Sequence, residues 1–356
     1  GRIHAKWSTE VLHSQDLPLV LRRAFKMAQQ APCGPVVVSL PQDVLQGEVD
    51  FEPAASCARP SRPRADREGI EQAAALLSQA QAPLVLIESG VARSDAVAEV
   101  VRLAELVGAP VYQAWMADVN FPVSHPLYLG DLDPTAPEAR DVLAGTDLIV
   151  GVGCSLFAHG FLVGDPALPE GMKTIHIDED PWEIGKNLPT ECGLLGDIKA
   201  TLTELDNEID RRLDDSARAA AAQRGARIAE RKQAAADEWE AGLAGQRASA
   251  PIPIRRLLCE LRAGISPDTV VVDEAWSASA ALRRTLIFDR PGSFFRARKG
   301  GSIGSGLPMA LGVKLGLPDR PVLAVVGDGS AAWSMQSLWT AARYRIPVTF
   351  IITNNA

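Results

Sequence analysis

Two apolar runs, "PVLAVV" (321–326) and "PVTFII" (347–352), flank "SAAWSMQSLWTAARY" (330–344), a stretch with the make-up of a helix. A strand that returns through a helix to a second strand of the same sheet does so right-handedly and in parallel, so the two strands are expected side by side. This places Gly327-Asp328-Gly329-Ser330 and Asn354-Asn355 just past the carboxyl ends of neighbouring strands. Open α/β sheets bind ligands at that edge. The Asp328 carboxylate and the Asn355 amide oxygen are hard ligands suited to Mg²⁺ or Ca²⁺, and two protein oxygens fit a Mg²⁺ ion completed by phosphate and water. Gly327 and Gly329 let the backbone approach a diphosphate, and Ser330 stands at the amino end of the helix, where N–H groups favour anions.

The rest of the chain reads as α/β units joined by linkers. In "DLPLVLRRAFKMAQQ" (16–30), Leu17, Val20, Leu21, Ala24, Phe25 and Ala28 form an apolar helical stripe, expected to be buried. "VVVSLP" follows as a strand of the kind covered on both faces. These residues form a first unit, 1–50, and "FEPAASCARPSRPRADREG" supplies a linker over 51–66. A central unit, 67–205, alternates strand candidates (83–89, 110–113, 147–153, 173–178, 193–197) with helices near 69–80, 95–107, 136–144 and 198–212. That alternation predicts a parallel sheet with helices on both faces. An Ala, Arg, Glu and Asp-rich helical linker spans 206–250, and the last unit, 251–356, opens on "PIPIRRLLCELRAG" and the strand "TVVVDE" (269–274). The fold class is therefore α/β, with open parallel sheets flanked by helices in several domains.

A formal charge of −8, without a dense Lys/Arg cluster, argues against a nucleic-acid partner. No apolar run reaches the roughly 18 residues of a membrane span. The five cysteines are odd in number and never spaced Cys-x-x-Cys, against a disulfide framework or zinc site, so a cytoplasmic setting is expected.

Gly-Asp-Gly followed at this distance by Asn-Asn resembles the cofactor signature of the thiamin-diphosphate-dependent enzymes. The residues between look most like the benzoylformate decarboxylase branch of the acetolactate synthase and pyruvate decarboxylase superfamily. "KWS…APCGPVVVSLPQDV" is similar to the end of that family's pyrimidine-binding domain, and "IHIDEDPWEIGKNLP…GLLGDIKATL" to the end of its central domain. The resemblance implies a thiamin diphosphate and Mg²⁺ site, with Asp328 and Asn355 on the metal and Gly327, Gly329 and Ser330 at the diphosphate. A third metal ligand would be a backbone carbonyl at position 357, and a cofactor-activating carboxylate would lie upstream, so the chain is expected to be a piece of a longer enzyme.

Three further sites follow from the same resemblance. The Gly-rich "RARKGGSIGSGLPMALGVKLG" (296–316) fits neither a Walker loop nor a dinucleotide fingerprint. On residues alone it is a loop with a helix packed behind it, whereas the resemblance gives Gly301 a backbone contact to the aminopyrimidine and makes Ile303 the prop for the folded cofactor. "DEAWSAS" (273–279) reads as a strand-to-helix cap that could present Ser277 to the diphosphate, although Asp273 and Glu274 would repel that group unless turned away. His159, in the loop after the strand at 147–153, corresponds to an active-site histidine, while His176 inside a strand is expected to be packed. The implied activity is non-oxidative decarboxylation of a 2-oxo acid, most like aryl benzoylformate, by a homodimer or homotetramer. The alternatives are a carboligase of acetolactate synthase type, in whose relatives the central domain can carry FAD, and a non-catalytic fragment.

Overall fold

A computed structural model describes residues 4–51, 61–114, 117–133, 137–157, 168–243, 246, 249–296 and 301–354. The chain divides into two compact units: Gly1–Pro63 with Glu179–Pro181, and Arg64–Asp178 with Trp182–Ala356.

In the first unit, β1 (Trp7–Glu10) pairs in parallel with β2 (Val36–Ser39), and α1 (Leu17–Gln29) and a short α2 (Gln42–Gln46) accompany them. The strand β1 adds to the sequence reading, because "WSTE" is too short and polar to stand out. Two expectations fail here. Of the α1 stripe only Ala24 is buried, while Phe25 is 65% exposed. Val37 of β2 is 44% exposed, so that strand is not covered on both faces. The helix α1 packs against β1 and β2, but Phe25 and Val37 stay outside that contact, so the apolar pattern does not become a two-sided core.

The second unit holds two parallel sheets. The larger has six strands: β3 (Pro83–Ile87), β4 (Val111–Ala114), β5 (Tyr128–Leu132), β6 (Leu148–Val152), β7 (Lys173–Asp178) and β8 (Cys192–Leu195), in the order β5-β4-β3-β6-β7-β8. Around it run α3 (Arg67–Gln79), α4 (Gly90–Arg93), α5 (Val97–Val107), α6 (Pro137–Ala144) and α7 (Ile198–Arg212). Every residue of β3 and β6 is buried. Strand alternation sends Val85 and Ile87 into one core cluster and Leu84 and Leu86 into the other. Each such side chain contributes about 1.5–3 kcal/mol by leaving water. Asp66 and Asp197 start α3 and α7 by accepting from the amides of Gly69 and Ala200.

The long α8 (Asp215–Ala241) buries only Ala221, the solvated helix expected of its composition. Its Trp239 is packed between two guanidinium groups, Arg255 at 4.0 Å and Arg284 at 4.6 Å. Those arginines belong to α9 (Ile254–Gly264) and α10 (Ser279–Thr285), which cover one face of the second sheet.

The second sheet consists of β9 (Val270–Glu274), β10 (Phe294–Arg296), β11 (Val322–Gly327) and β12 (Thr349–Thr353), in the order β10-β9-β11-β12. The helix α11 (Gly306–Gly316) packs on its other face. As expected, β11 and β12 are parallel neighbours, with Leu323 opposite Thr349 and Gly327 opposite Thr353. The helix between them is not continuous: α12 (Asp328–Trp333) stops and α13 (Ser337–Tyr344) restarts. Trp333, Trp339 and Tyr344 on the two helices and Met335 in the break between them are largely exposed. No helix among the described residues is long and apolar enough to cross a membrane.

Candidate thiamin diphosphate site

The smaller sheet changes its winding direction between β9 and β11, with β10 on one side of the pair and β12 on the other. The crevice beyond the carboxyl ends at such a switch point is the expected ligand position. At this edge β9 ends on Glu274, opposite Val326, and β11 ends on Gly327. Asp328 opens α12, whose first turn has no side-chain cap, so its leading N–H groups are available to a ligand. A methyl group built on Gly329 would meet nothing within 4 Å, which leaves room for a bulky anion against the backbone. Ser330, in the same turn, is 6% exposed. Asn354 follows Thr353, the partner of Gly327, so Asn354 and Asp328 each come directly after the end of a neighbouring strand. Asn355 itself lies outside the described residues.

The two acidic residues that end β9 do not face a ligand. Alternation sends them to opposite faces of the strand, Asp273 with Val271 toward α9 and α10, Glu274 with Val272 toward α11. Asp273 accepts from the Ala275 amide at 3.0 Å and the Ser279 hydroxyl at 2.8 Å, and Arg296 lies 3.7 Å from its other oxygen. Burial pulls the Arg296 guanidinium below its ordinary pKa, and the Asp273 carboxylate opposes that shift. Those bonds shape the turn that carries Ser277, whose hydroxyl lies 3.4 Å from the Ala275 carbonyl. Glu274 accepts from the Ser305 amide and hydroxyl, each at 3.0 Å, and from the Gly306 amide at 2.6 Å. The repulsion foreseen for this pair is therefore avoided.

The Gly-rich segment reaches the same edge. Gly301 has φ +67° and open space around it, Ile303 is 42% exposed, and Gly304 has φ +92°. A methyl on Gly304 would come within 2.8 Å of the Trp333 Cβ, so this loop lies directly against the end of α12. Ser277, Gly301, Ile303 and the Gly327–Ser330 turn thus belong to one edge of one sheet. The roles of Asp273 and Glu274 were missed in the sequence. Their signal was an acidic pair closing an otherwise apolar strand, where alternation must bury both.

His159 lies outside the described residues. His176 is 1% exposed, and its Nε2 donates to the Cys154 carbonyl at 2.8 Å. It is packed, as expected, and burial lowers its pKa. Among the described residues no three His, Cys, Asp or Glu side chains gather as a metal cluster. A cation at Asp328 would depend on amide, backbone and phosphate oxygens beside the one carboxylate.

The sequence matches the model of the thiamine pyrophosphate enzyme central domain over residues 70–205 and that of the family's C-terminal TPP binding domain over 277–356. The chain belongs to the thiamine pyrophosphate enzyme family. It is 30% identical to sulfoacetaldehyde acetyltransferase of Castellaniella defragrans, covering 98% of this chain and 61% of that protein. It is 31% identical to benzoylformate decarboxylase of Pseudomonas aeruginosa, covering 98% and 63%. The solved structure of the thiamine diphosphate-dependent 4-hydroxybenzoylformate decarboxylase of Rhodococcus jostii RHA1 superposes with a TM-score of 0.80 at 28% identity, over 99% of this chain and 63% of that one. The chain thus spans about three fifths of the length of the curated relatives it matches. The residues at the edge suit the family's cofactor, because an uncapped helix start, an unobstructed Gly329 and a hard carboxylate are what a metal-bound diphosphate needs.

Proposed function

We propose that the protein belongs to a thiamin-diphosphate- and Mg²⁺-dependent lyase that removes CO₂ from a 2-oxo acid without oxidation, an aryl acid such as benzoylformate, and releases the aldehyde. The observation that carries this reading is the Gly327–Ser330 turn leaving β11 beside the end of β12, with open space over Gly329. Asp328 would hold the metal with Asn355, and the first-turn amides and Ser330 would receive the diphosphate. Ser277 is offered to the same group from the neighbouring turn. Gly301 and Ile303 would meet the ring end of the cofactor, one through its backbone and the other through its exposed side chain. Bound thiamin diphosphate supplies the electron sink that makes loss of CO₂ feasible. His159 is the candidate proton donor, a role worth on the order of 10²–10⁴-fold in rate. A homo-oligomer is part of this reading, supported by Trp333, Met335 and Trp339, large apolar side chains left exposed close together in the sequence.

A second reading is favoured by the nearly equal likeness to an acetyltransferase. In it the same site passes the two-carbon group of a smaller oxo acid to an acceptor. Product analysis with benzoylformate and with pyruvate separates the two. Benzaldehyde from the first supports the lyase. A condensed product from pyruvate, with benzoylformate untouched, would replace that reading by the second.

A further inference from the structure

Glu274 is a buried carboxylate with a task that its strand does not require. It is 3% exposed at the end of the central strand β9, and both oxygens are used: Oε1 by the Ser305 amide and hydroxyl, Oε2 by the Gly306 amide. Those donors are the N-cap and first residue of α11, so the carboxylate caps that helix and lies in the favourable field of its amino end. The approach is close. A methyl on Gly306 would sit 2.8 Å from Oε2, 2.9 Å from the Glu274 Cβ and 3.0 Å from Val326 on β11. The backbone of the same residue lies beside β11, with its carbonyl 3.7 Å from a methyl built on Gly327. Glu274 therefore joins the residue that precedes Asp328 to the residue that ends the Gly301–Gly304 loop. At its other side the loop rests on Trp333.

We infer that Glu274 is a positioning residue, which fixes the loop bearing Gly301 and Ile303 at a set distance from the diphosphate turn, so that one ligand can engage both. This rests on the thiamin diphosphate reading above. The geometry separates two parts of that ligand. The diphosphate turn is built on β11 and α12 and does not use the Glu274 carboxylate, whereas the Gly301–Ile303 loop ends on it. A Glu274→Gln side chain has the same shape but one acceptor oxygen and an NH₂ that meets another N–H, so one end of the clasp must open.

The test is calorimetric titration of the purified protein with thiamin diphosphate and, separately, with inorganic pyrophosphate, each with Mg²⁺, together with amide hydrogen exchange in the cofactor-free state. In Glu274→Gln, thiamin diphosphate is expected to bind about tenfold or more weakly, while pyrophosphate affinity stays within about twofold. The Ser305 and Gly306 amides should exchange faster before any cofactor is added. Gly306→Ala, which pushes the clasp apart from the helix side, should give the same selective loss and carries the test if Glu274→Gln does not fold. Equal weakening of both ligands would overturn the inference, since Glu274 would then act through the whole domain. Unchanged thiamin diphosphate affinity would also overturn it. Wild-type protein that takes up neither ligand would refute the functional reading itself, and the inference with it.

Discussion

The two sheets of the second unit are wired alike, both parallel and both reversing direction beside their first strand, yet their switch points differ. Between β3 and β6 the edge is shut: the Gly90 amide donates to the Gly153 carbonyl at 3.1 Å, and a methyl on Gly90 would fall 2.5 Å from the Gly153 Cα. Between β9 and β11 it is open at Gly329, and the side chains of Asp273 and Glu274 are turned away to the two faces of the sheet. Two buried carboxylates make a second contrast. Glu274 at the open edge has three donors, whereas Asp206, on α7 beside the larger sheet, is 1% exposed and neither oxygen accepts a hydrogen bond. One topology can therefore serve as scaffold or as site, according to what its strand ends carry.

The largest expected effect concerns Asp206. Burial, which Arg102 only partly offsets and Glu99 and Asp210 reinforce, pushes its pKa up to about 8. The folded protein then holds a proton that the unfolded chain releases near pH 4, so this contribution is full in acid and is lost as pH rises through 8. Urea unfolding between pH 5 and 8 should show a loss of about 1.4 kcal/mol per pH unit in the wild type relative to Asp206→Asn. Parallel curves for the two proteins would mean that Asp206 is partnered after all, and that the contrast with Glu274 fails.

A smaller effect probes the two edges directly. Gly90→Ala forces a methyl into backbone and should cost about 1–3 kcal/mol in the same unfolding experiment. Gly329→Ala enters open space and should change stability by no more than about 0.5–1 kcal/mol. Its effect should fall instead on thiamin diphosphate affinity. Equal destabilisation by both would erase the distinction between shut and open edges.

Much of this was legible in the chain. The apolar runs of β3, β6, β7, β9 and β11 identified buried parallel strands, that of β12 a parallel strand left partly exposed, and the strand-helix-strand spacing set β11 beside β12, with Asp328 just past the end of β11. What escaped was short or decided by distant contacts. "YLGDL" of β5 and "FFR" of β10 carry no strong period, and they become strands because a neighbour is already in place. No breaker marks Ser334–Gln336, yet the helix stops there, where Trp333 lies against Gly304 of the Gly-rich loop, twenty-nine residues earlier. The buried task of Glu274 depends on partners at 305–306, which no local pattern specifies.

The central claim is that the open edge holds a metal-bound diphosphate through Asp328. Calorimetric titration of thiamin diphosphate with Mg²⁺ into wild-type protein and into Asp328→Ala tests it most directly. Saturable binding by the wild type, with a loss of about 100-fold or more in the variant, is the predicted result, on the scale of removing one partner of a charge-based contact. Undiminished binding by Asp328→Ala would contradict the account.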